Sequence, residues 1–379
     1  MILPGRTIGI LGGGQLGRLT AIAARNLGYG VHVLDPDPAC PARGVADLTI
    51  TAPFDDELAA AWLARGVDVV TLEIEKLGLP ALRAAGERAP VRPGWHVLEI
   101  IQDRGHQRRW LADHGLPQGP WRACDDAETT ATACRVLGHD NFVKSRFGGY
   151  DGKGQARVRS AEDAARAFAS VGPNVVEQAL PLVAELSVMV ARRPSGETVV
   201  FPPALNHHED QILTWSAIPA PLPAAVLDAA EEIARSIAGA IGLEGLLAIE
   251  LFLLPDGVLL VNELAPRPHN SFHATERATA TSQFEQHVRA VCDLPLGNTA
   301  LVQPTAIANL LGDLWIAPDG KPGTPDFGAA LAIPGVRLHL YGKADARPGR
   351  KMGHLSATGS TSEEATARVL HAKAVLLPR

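Results

Sequence analysis

Short apolar runs alternate with amphipathic helical patterns over the first 100 residues. The pattern predicts strands at 7–11, 31–34 and 67–72 and helices at 16–27, 56–64 and 81–85. Strands that alternate with helices are typical of a parallel sheet with helices on its faces. After Arg92-Pro93-Gly94 a longer helical region begins at 95–115. We therefore place a first domain boundary near residue 100.

From about residue 140 to 265 the pattern changes to hairpins. Segments 184–193 and 197–204 flank Pro194-Ser195-Gly196, and segments 246–254 and 258–264 flank Pro255-Asp256-Gly257. Helical patterns at 161–170 and 224–241 are interspersed, which favours an antiparallel α+β architecture. Beyond residue 296 short apolar runs alternate with proline and glycine, which predicts a small β-rich domain. The expected domains are 1–100, 101–296 and 297–379.

The composition and charge of the chain argue against two classes of partner, nucleic acids and membranes. The chain has 379 residues, of which 46% are hydrophobic and 20% charged, and its formal net charge is −6. We expect neither nucleic acid nor a membrane as a partner, because the chain lacks a basic balance and a long apolar run. Its four cysteines are far apart in sequence, so we expect reduced thiols and a cytoplasmic location.

A glycine-rich turn follows the first predicted strand. "GGGQLG" at 12–17 matches G-x-G-x-x-G, and Asp35 follows its last glycine by 18 residues. This spacing is typical of dinucleotide-binding domains, in which the acidic residue contacts the ribose. Glycine is equally required wherever a strand turns tightly into a packed helix, whatever the ligand. A nicotinamide-dependent oxidoreductase and another nucleotide-binding class both remain open at this point.

A second glycine-rich loop, "KSRFGGYDGKGQ" at 144–155, begins with a lysine at the end of the apolar segment 141–143. Glycine allows backbone N–H groups to approach phosphate oxygens closely, so the loop is a candidate lid over a polyphosphate. The spacing differs from G-x-x-x-x-G-K-[ST]. A plain exposed turn is the alternative interpretation.

Two glutamates are expected to face each other in the hairpin 247–263. If Asp256-Gly257 forms a two-residue turn, Glu250 lies opposite Glu263, with Cβ atoms about 4.5–5.5 Å apart. Two like charges at that distance are unfavourable unless a cation lies between them, and Mg²⁺ bound with a nucleotide would satisfy both. Strand alternation points Asn262 to the other face. A register error or one protonated carboxyl group is the alternative.

Together these features resemble an ATP-grasp ligase. Within that superfamily the motifs "GGGQLGRL", "FGGYDGKGQ", "NHHED", "NELAPRPHNS" and "RPGRKMGH" resemble the 5-(carboxyamino)imidazole ribonucleotide synthases of purine biosynthesis, in order and over essentially the whole chain. The resemblance implies an ATP-grasp fold with an N-terminal Rossmann-like pre-ATP-grasp domain and a small β-rich C-terminal domain. The implied reaction carboxylates 5-aminoimidazole ribonucleotide with bicarbonate and ATP through carboxyphosphate, giving 5-(carboxyamino)imidazole ribonucleotide, ADP and phosphate. A homodimer is implied as well.

The resemblance also assigns residues to ligands. The implied ATP contacts are Arg104, Lys144, Gly149, Tyr150, Asp151, Gly152, Lys153, Gly154, Gln155, Glu177, Gln178, Ala179, Leu180, Glu185, His208, Asn262 and Glu263. The implied ribonucleotide contacts are Gly14, Gln15, Leu16, Glu73 and Asn270, with Lys343, Arg350 and Lys351 around the 5′-phosphate. The implied magnesium ligands are Glu250 and Glu263. Without this resemblance, the basic cluster at 343–351 would be interpreted as a solvated surface.

Arg267 is the candidate for holding bicarbonate or carboxyphosphate, because its planar guanidinium matches such an anion. The candidates for orienting the anion or accepting the amine proton are His269, His273, Tyr150 and Asp151. Each histidine has a structural role as its alternative. Closure of the loop 148–154 is expected to exclude water from the intermediate.

Three positions differ from the family pattern: Phe272 and Gln211 replace glycines, and Lys76 replaces asparagine. A bulky ring at Phe272 can reshape the bicarbonate pocket, which leaves a nucleotide-binding scaffold without activity as one alternative. A formate-dependent enzyme that formylates glycinamide ribonucleotide on the same fold is another. A nicotinamide-dependent oxidoreductase is the alternative from a different class.

Overall fold

The computed structural model describes residues 1–149, 154–317 and 319–376, and these residues form three β-sheets covered by helices. Within them, no helix is long and apolar enough to cross a membrane. Three short 3-10 segments lie at Pro41–Gly44, Asn270–Phe272 and Gly312–Trp315.

The first sheet is parallel, with the strand order β3-β2-β1-β4. Its elements are β1 (Thr7–Leu11), α1 (Gln15–Asn26), β2 (Gly30–Asp35), β3 (Leu48–Thr51), α2 (Glu57–Arg65), β4 (Val69–Leu72) and α3 (Leu79–Gly86). The parallel arrangement predicted from the alternating pattern is confirmed. The prediction lacked β3, because a four-residue edge strand is too short to show a period. The carboxyl ends of β1 and β4 are adjacent, which brings the glycine turn next to Glu73.

Two helices lead into a second sheet, which is antiparallel and has the order β5-β8-β6-β7. The elements are α4 (Trp95–Ile101), α5 (Arg104–Asp113), β5 (Trp121–Cys124), α6 (Ala127–Leu137), β6 (Asn141–Ser145), β7 (Gln155–Val158), α7 (Ala161–Val171) and β8 (Asn174–Gln178). The helical region predicted at 95–115 is divided because Asp103 caps the start of α5 through the N–H of Gly105. We call residues 121–178 the small lobe.

The third sheet has nine strands in the part of the chain described, and all of its pairings are antiparallel. Its elements and covering helices are β9 (Ala184–Arg192), β10 (Thr198–Val200), β11 (Ala204–Glu209), β12 (Ile212–Ile218), α8 (Ala224–Ala240), β13 (Gly245–Leu253), β14 (Leu259–Ala265), α9 (Thr275–Ala278), α10 (Gln283–Val291), β15 (Thr305–Leu311), α11 (Phe327–Leu331), β16 (Val336–Leu340), β17 (Lys351–Thr358) and α12 (Ser362–Ala374). Strands β9, β13 and β14 carry a core of leucine, isoleucine and valine against α8.

The C-terminal strands β15, β17 and β16 extend this sheet beyond β12 and do not form a sheet of their own. The β-rich character expected after residue 296 is therefore present within a shared sheet. Helix α12 packs on β15 and β17 through Ala365, Val369 and Ala372. The domain boundaries at residues 100 and 296 stay predictions.

Candidate active site

A cleft of about 1430 Å³ is lined by residues from all three sheets. The predicted site residues that line it are Gly14, Gln15, Leu16, Glu73, Arg104, Lys144, Gly149, Gly154, Gln155, Glu177, Gln178, Leu180, Glu185, His208, Glu250, Asn262, Glu263, Arg267, His269, Asn270, Lys343, Arg350 and Lys351. Ala179 and His273 are not among the lining residues. The predicted residues Tyr150, Asp151, Gly152 and Lys153 lie outside the described residues. The cleft therefore brings together side chains from segments up to about 330 residues apart.

Glu250 and Glu263 face each other across the hairpin, as predicted, but the predicted turn is wrong. The loop has three residues, Pro255-Asp256-Gly257, because the N–H of Leu254 already bonds the carbonyl of Val258. Gly257 adopts a φ of 84°, the left-handed conformation that such loops require. A β-bulge beside Glu250 then inserts one extra residue into β14. The three-residue loop shifts the pairing by one residue, and the bulge shifts it back by one residue. Glu250 and Glu263 therefore still pair.

The extra residue of the bulge is Asn262, and its position corrects a second expectation. Strand alternation predicted that Asn262 points away from the glutamates, yet its amide faces them. Its Nδ2 lies 3.4 Å from Glu250 Oε2, and its Oδ1 lies 3.4 Å from the Lys144 ammonium. The bulge therefore places two consecutive functional residues of β14, Asn262 and Glu263, in the cleft together with Glu250 of β13.

The two glutamates form an electrostatically unfavourable pair in the absence of a cation. Burial and, after it, the negative charge of Glu263 raise the pKa of Glu250 to about 7. Arg104 Nη2 lies 3.6 Å from Glu263 Oε2, and His269 Nε2 lies 3.6 Å from Glu250 Oε1. Burial and the nearby Arg267 charge hold the pKa of His269 well below its usual range, so this ring is neutral. The two carboxylates offer the oxygen ligands that a hard divalent cation prefers.

Lys144, at the end of β6, and Arg108, on α5, both bind the carboxylate of Glu177. Sequence reasoning did not predict Arg108 as part of the site. Lys144 Nζ donates to Glu177 Oε2 at 2.6 Å, and Arg108 donates twice to Glu177 Oε1 at 2.7 and 3.0 Å. Burial by itself would raise the pKa of Glu177, but the Arg108 and Lys144 charges hold it far below its usual range. The helical spacing of Arg104 and Arg108, four residues apart on α5, was the available signal.

This network limits which groups of the segment 177–180 are left for a nucleotide base. The Glu177 carboxylate already binds Lys144 and Arg108, and the contact of 177–180 with adenine stays a prediction. The N–H groups of Gln178 and Ala179 are bonded to the carbonyls of Pro120 and Asp140. Leu180 lines the cleft with its side chain. A nucleotide base could therefore contact the apolar side chain of Leu180 and those backbone groups of 177–180 that are not already hydrogen-bonded within the protein.

Glu185 on β9 and His208 on β11 form a second polar pair in the cleft, with Oε2 and Nδ1 3.0 Å apart. Burial by itself would lower the pKa of His208, but the adjacent Glu185 carboxylate and the charge of Glu250 raise it. Opposite them, Gln155 of the small lobe donates to the side chain of Gln211. Gln211 and Asp210 adopt φ values of 68° and 47° in the turn between β11 and β12. A glycine would relieve this strain but would lose the contact across the cleft.

The first glycine turn is already occupied by two carboxylates of the protein. Glu73 accepts the N–H groups of Gly14 and Gly17, both at 2.7 Å, at the start of α1. Asp35 accepts the N–H of Gly13 at 2.7 Å and is only 7% exposed. A dinucleotide would need the helix terminus for its pyrophosphate and Asp35 for its ribose. Neither group is available to a dinucleotide. Glu73 lines the cleft, and its contact with the ribonucleotide stays a prediction.

Three segments meet around Gln15, which begins α1. Its amide donates to Asn270 Oδ1 at 2.6 Å, and its oxygen accepts from Lys343 Nζ at 2.7 Å. Lys343 also donates to the carbonyl of Lys351 at 2.6 Å. The predicted ribonucleotide contacts thus form one hydrogen-bonded network. Arg350, at the exposed rim, donates to the carbonyl of Asp345.

His273 lies behind this network, which corrects its prediction as a catalytic residue. The ring is 1% exposed, stacks on His354 with centroids 4.5 Å apart, and donates to Asn270 Oδ1 at 3.1 Å. Burial and, after it, the nearby His339 and Lys351 lower its pKa to about 3. A neutral ring that is out of reach of the cleft can only act through Asn270. The structural alternative for this histidine is therefore the correct one.

Arg267 reaches the cleft and is held there by Glu75, which the sequence interpretation also missed. The guanidinium Nε lies 2.8 Å from Glu75 Oε1. Burial by itself would lower the pKa of Arg267, but the Glu75 charge raises it. Phe272 does not intrude on this pocket: its ring is fully buried and packs on Phe201 with centroids 6.1 Å apart. The expected effect of Phe272 on the bicarbonate pocket is therefore not found.

One further cluster, outside the cleft, consists of Glu276, His339 and His354, whose ligand atoms lie within 4.8 Å of one another. The rings of His339 and His354 are nearly parallel, at 6° with centroids 4.6 Å apart. In-plane lone pairs on parallel rings do not converge on one position, so this arrangement does not form a metal site. It is a stacked pair of imidazoles across β16 and β17 with the half-buried Glu276 of α9 beside it, and of the three only His354 is fully buried.

Comparisons with known proteins agree with this architecture. Three family models match the chain: a ribonucleotide synthetase preATP-grasp domain over residues 5–102, an ATP-grasp domain over 109–284, and a phosphoribosylaminoimidazole carboxylase C-terminal domain over 305–368. The N5-carboxyaminoimidazole ribonucleotide synthase of Brucella melitensis is 43% identical to this chain over 93% of the chain and 96% of its own length.

Solved structures are similar over almost the whole fold. An ADP complex of an N5-carboxyaminoimidazole ribonucleotide synthetase aligns with a TM-score of 0.91 and 40% identity, covering 98% of this chain and 97% of that one. The N5-carboxyaminoimidazole synthase of Aspergillus clavatus, in complex with ADP and 5-aminoimidazole ribonucleotide, aligns with a TM-score of 0.89 and 32% identity, covering 98% of each chain.

Proposed function

The chain belongs to the N5-carboxyaminoimidazole ribonucleotide synthase family, and we propose that Glu250, Glu263, Lys144 and Arg267 carry the reaction of that family here. The protein is an ATP-grasp ligase that carboxylates 5-aminoimidazole ribonucleotide in purine biosynthesis. The observation that supports the residue assignment is the facing glutamate pair in a cleft that also holds Lys144 and Arg267. The name 5-(carboxyamino)imidazole ribonucleotide synthase denotes the same activity.

The nucleotide half of the cleft is suited to a triphosphate. Lys144 and Arg104 provide positive charge for the phosphates, and Glu185 with His208 provides polar groups for the ribose. Glu250 and Glu263 would hold Mg²⁺, with the Asn262 amide beside them. When bound, magnesium supplies neutralisation of phosphate charge and a fixed position for the phosphate oxygens. The raised pKa of Glu250 supports this assignment, because a bound cation would offset both of its causes, burial of the carboxylate and repulsion from Glu263.

The proposed chemistry proceeds in two steps. A bicarbonate oxygen attacks the γ-phosphorus of ATP, and the bond from that phosphorus to the ADP oxygen breaks, which gives carboxyphosphate. Carboxyphosphate releases phosphate and carbon dioxide, and the exocyclic amine of the ribonucleotide attacks the carbon dioxide and loses a proton. Arg267 would hold the anion through its planar fork, and Glu75 keeps that fork in place. His269 would orient the anion as a neutral donor.

The ribonucleotide half lies at the glycine turn. Gly14, Gln15, Leu16 and Asn270 would contact the nucleoside, and Lys343, Arg350 and Lys351 would surround the 5′-phosphate. The hydrogen bonds among Gln15, Asn270 and Lys343 support this assignment, because they place polar groups of three segments side by side. Occupation of the helix terminus by Glu73 explains why the phosphate needs its own basic cluster.

Formation of ADP tests the proposal against the sister formylating enzyme. We expect ADP release only when ATP, bicarbonate and 5-aminoimidazole ribonucleotide are all present. Release that requires formate and glycinamide ribonucleotide instead would reject the assignment. Replacing Arg267 by Lys, which keeps the charge but loses the fork, should raise the KM for bicarbonate and leave the KM for ATP within about twofold.

The remaining parts of the proposal concern the whole protein. The three domains 1–100, 101–296 and 297–379 are supported by the positions of the three family matches. A homodimer follows the family resemblance and the commonest symmetry of oligomers, and light scattering after size exclusion tests it. A cytoplasmic location is supported by the four buried free thiols, which suit a reducing compartment.

A further inference from the structure

Arg108 is a buried cation at the junction of three elements, although it does not line the cleft. Its side chain is 3% exposed on α5, one turn beyond Arg104. It donates two hydrogen bonds to Glu177 on β8, at 2.7 and 3.0 Å, and one to the carbonyl of Val261 on β14, at 2.8 Å. The guanidinium therefore binds the small lobe through Nε and Nη2, and it binds the hairpin β13–β14, which carries Glu250 and Glu263, through Nη1.

The charges around Glu177 give Arg108 an electrostatic role. Glu177 is buried and lies 2.6 Å from Lys144, the cation at the end of β6. With Arg108 present, the three side chains carry one net positive charge, which remains available to an anionic nucleotide. Without Arg108, the carboxylate would neutralise Lys144, because an unpaired buried charge takes the nearest opposite partner. Arg108 thereby preserves the charge of a residue that it does not touch.

The contact with Val261 gives Arg108 a second role, in the geometry of the hairpin. Val261 immediately precedes the bulge residue Asn262, and β14 is the edge strand of the large sheet. Its carbonyl accepts from Arg108, and its N–H donates to the carbonyl of Pro117 at 2.8 Å. Both backbone groups are thus fixed at the point where the strand departs from regular pairing. A bulge that is held in this way presents Asn262 and Glu263 in one orientation.

We propose that Arg108 is a positioning residue for nucleotide binding. It neutralises Glu177, so that Lys144 keeps its charge for the triphosphate, and it anchors Val261, so that the bulge directs Asn262 and Glu263 into the cleft. The inference rests on the proposed function, because it assigns the nucleotide to Lys144 and Glu263. Arg108 itself contacts neither substrate nor metal.

The test compares Arg108→Met and Arg108→Lys with Arg109→Met, a control for the same chemical change at the exposed neighbour on α5. For Arg108→Met we expect the Kd for a fluorescent ADP analogue with Mg²⁺ and the KM for ATP to rise about 10-fold or more. The KM for the ribonucleotide should stay within about twofold of wild type. Arg108→Lys should be intermediate, since it keeps the charge but cannot reach both partners.

A double substitution separates this role from a purely structural one. In Arg108→Met with Glu177→Gln, no carboxylate remains to neutralise Lys144, so the KM for ATP should fall back toward the wild-type value. A double variant whose KM for ATP is higher than that of Arg108→Met would overturn the proposal. An equal rise in all three KM values, in step with a lower melting temperature, would overturn it too.

The controls distinguish failure of this inference from failure of the proposed function. If wild type and Arg109→Met form no ADP in the presence of all three substrates, the proposed function is wrong. If they form ADP and Arg108→Met binds the analogue as tightly as Arg109→Met, only the role of Arg108 is wrong.

Discussion

Glu250 lowers the stability of the metal-free protein, but it is also a proposed ligand of the divalent cation. Its carboxyl group lies among apolar strands, opposite a second carboxylate, and its pKa is raised to about 7 by burial and by Glu263. A carboxyl group with a raised pKa binds its proton more tightly in the folded state. Its contribution to stability is therefore present at low pH and is lost as the pH rises from about 4.5 toward about 7.

Replacing Glu250 by Gln should stabilise the metal-free protein at high pH. The amide removes the buried charge, so at about pH 8 we expect the free energy of unfolding to increase by up to about 3 kcal/mol. The gain should vanish near pH 4.5, the ordinary value for the group. Urea unfolding in the presence of a chelator measures this, with the exposed Glu232→Gln as control. A variant that is less stable than wild type at about pH 8 would contradict the account.

Replacing Glu263 by Gln should abolish turnover while leaving the fold intact. The amide keeps the size of the side chain but weakens a proposed metal ligand, so we expect ADP formation to fall about 100-fold or more. The same assay with Glu232→Gln should give the wild-type rate. Activity of Glu263→Gln within about twofold of wild type would remove this glutamate from the chemistry.

Single residues also show what the sequence could and could not reveal. Residue types in ordered motifs predicted Lys144, Glu250, Glu263 and Arg267 as site residues, and all four line the cleft, because their chemistry is rarely needed elsewhere in a core. Arg108 and Glu75 were missed because their partners are 69 and 192 positions away in sequence, beyond any local pattern. His273 was misassigned because an imidazole in a motif gives no information about its burial.

At the scale of elements, the hairpin β13–β14 and the turn into α1 position the site. Alternation and the Pro-Asp-Gly signal predicted both strands and the pairing of the glutamates. The loop length and the bulge were not predictable, because each shifts the register by one residue and leaves the hydrophobic pattern beyond the bulge unchanged. The turn before α1 depends likewise on a close approach of Glu73 from the neighbouring strand that only the fold creates.

Replacing Gly14 by Ala tests the turn as an element. A Cβ at Gly14 would lie 2.4 Å from Glu73 Oε1, so the cap of α1 must move. We expect a loss of about 1–3 kcal/mol of unfolding free energy and a higher KM for the ribonucleotide, with the KM for ATP unchanged. The control is Gly239→Ala in α8, where a Cβ meets nothing within 4 Å and should stabilise the helix by up to about 1 kcal/mol. Equal effects of the two substitutions would contradict the role of the Glu73 cap.

At the scale of the whole molecule, three sheets surround one cleft. The nucleotide half is assigned to the small lobe and the large sheet, and the ribonucleotide half to the first glycine turn together with Asn270 and the C-terminal segment 343–351. The pattern along the chain predicted the parallel first sheet and the antiparallel remainder. It did not predict that β15 pairs with β12 and joins the C-terminal strands to the large sheet. These two strands are almost 100 residues apart in sequence. Because several strands have similar apolar patterns, the local sequence does not show which of them pair.

Ligand-dependent thermal stability distinguishes the ligase from the oxidoreductase interpretation. We propose that Mg-ATP binds between the small lobe and the large sheet, so at about 100 times its Kd it should add about 2.7 kcal/mol to the free energy of unfolding and raise the melting temperature. NAD should leave the melting temperature unchanged, because Asp35 and Glu73 occupy its expected contacts. Stabilisation by NAD alone would overturn the account of the first glycine turn.

The most direct test of the central claim, that Glu250 and Glu263 share a divalent cation with the nucleotide, is the binding of Mn²⁺ in the presence of ATP, followed by electron paramagnetic resonance. Wild type should bind one Mn²⁺ per chain in an ATP-dependent manner, and the double variant Glu250→Gln with Glu263→Gln should lose that ion. Retention of the same ATP-dependent Mn²⁺ affinity by the double variant would contradict the claim.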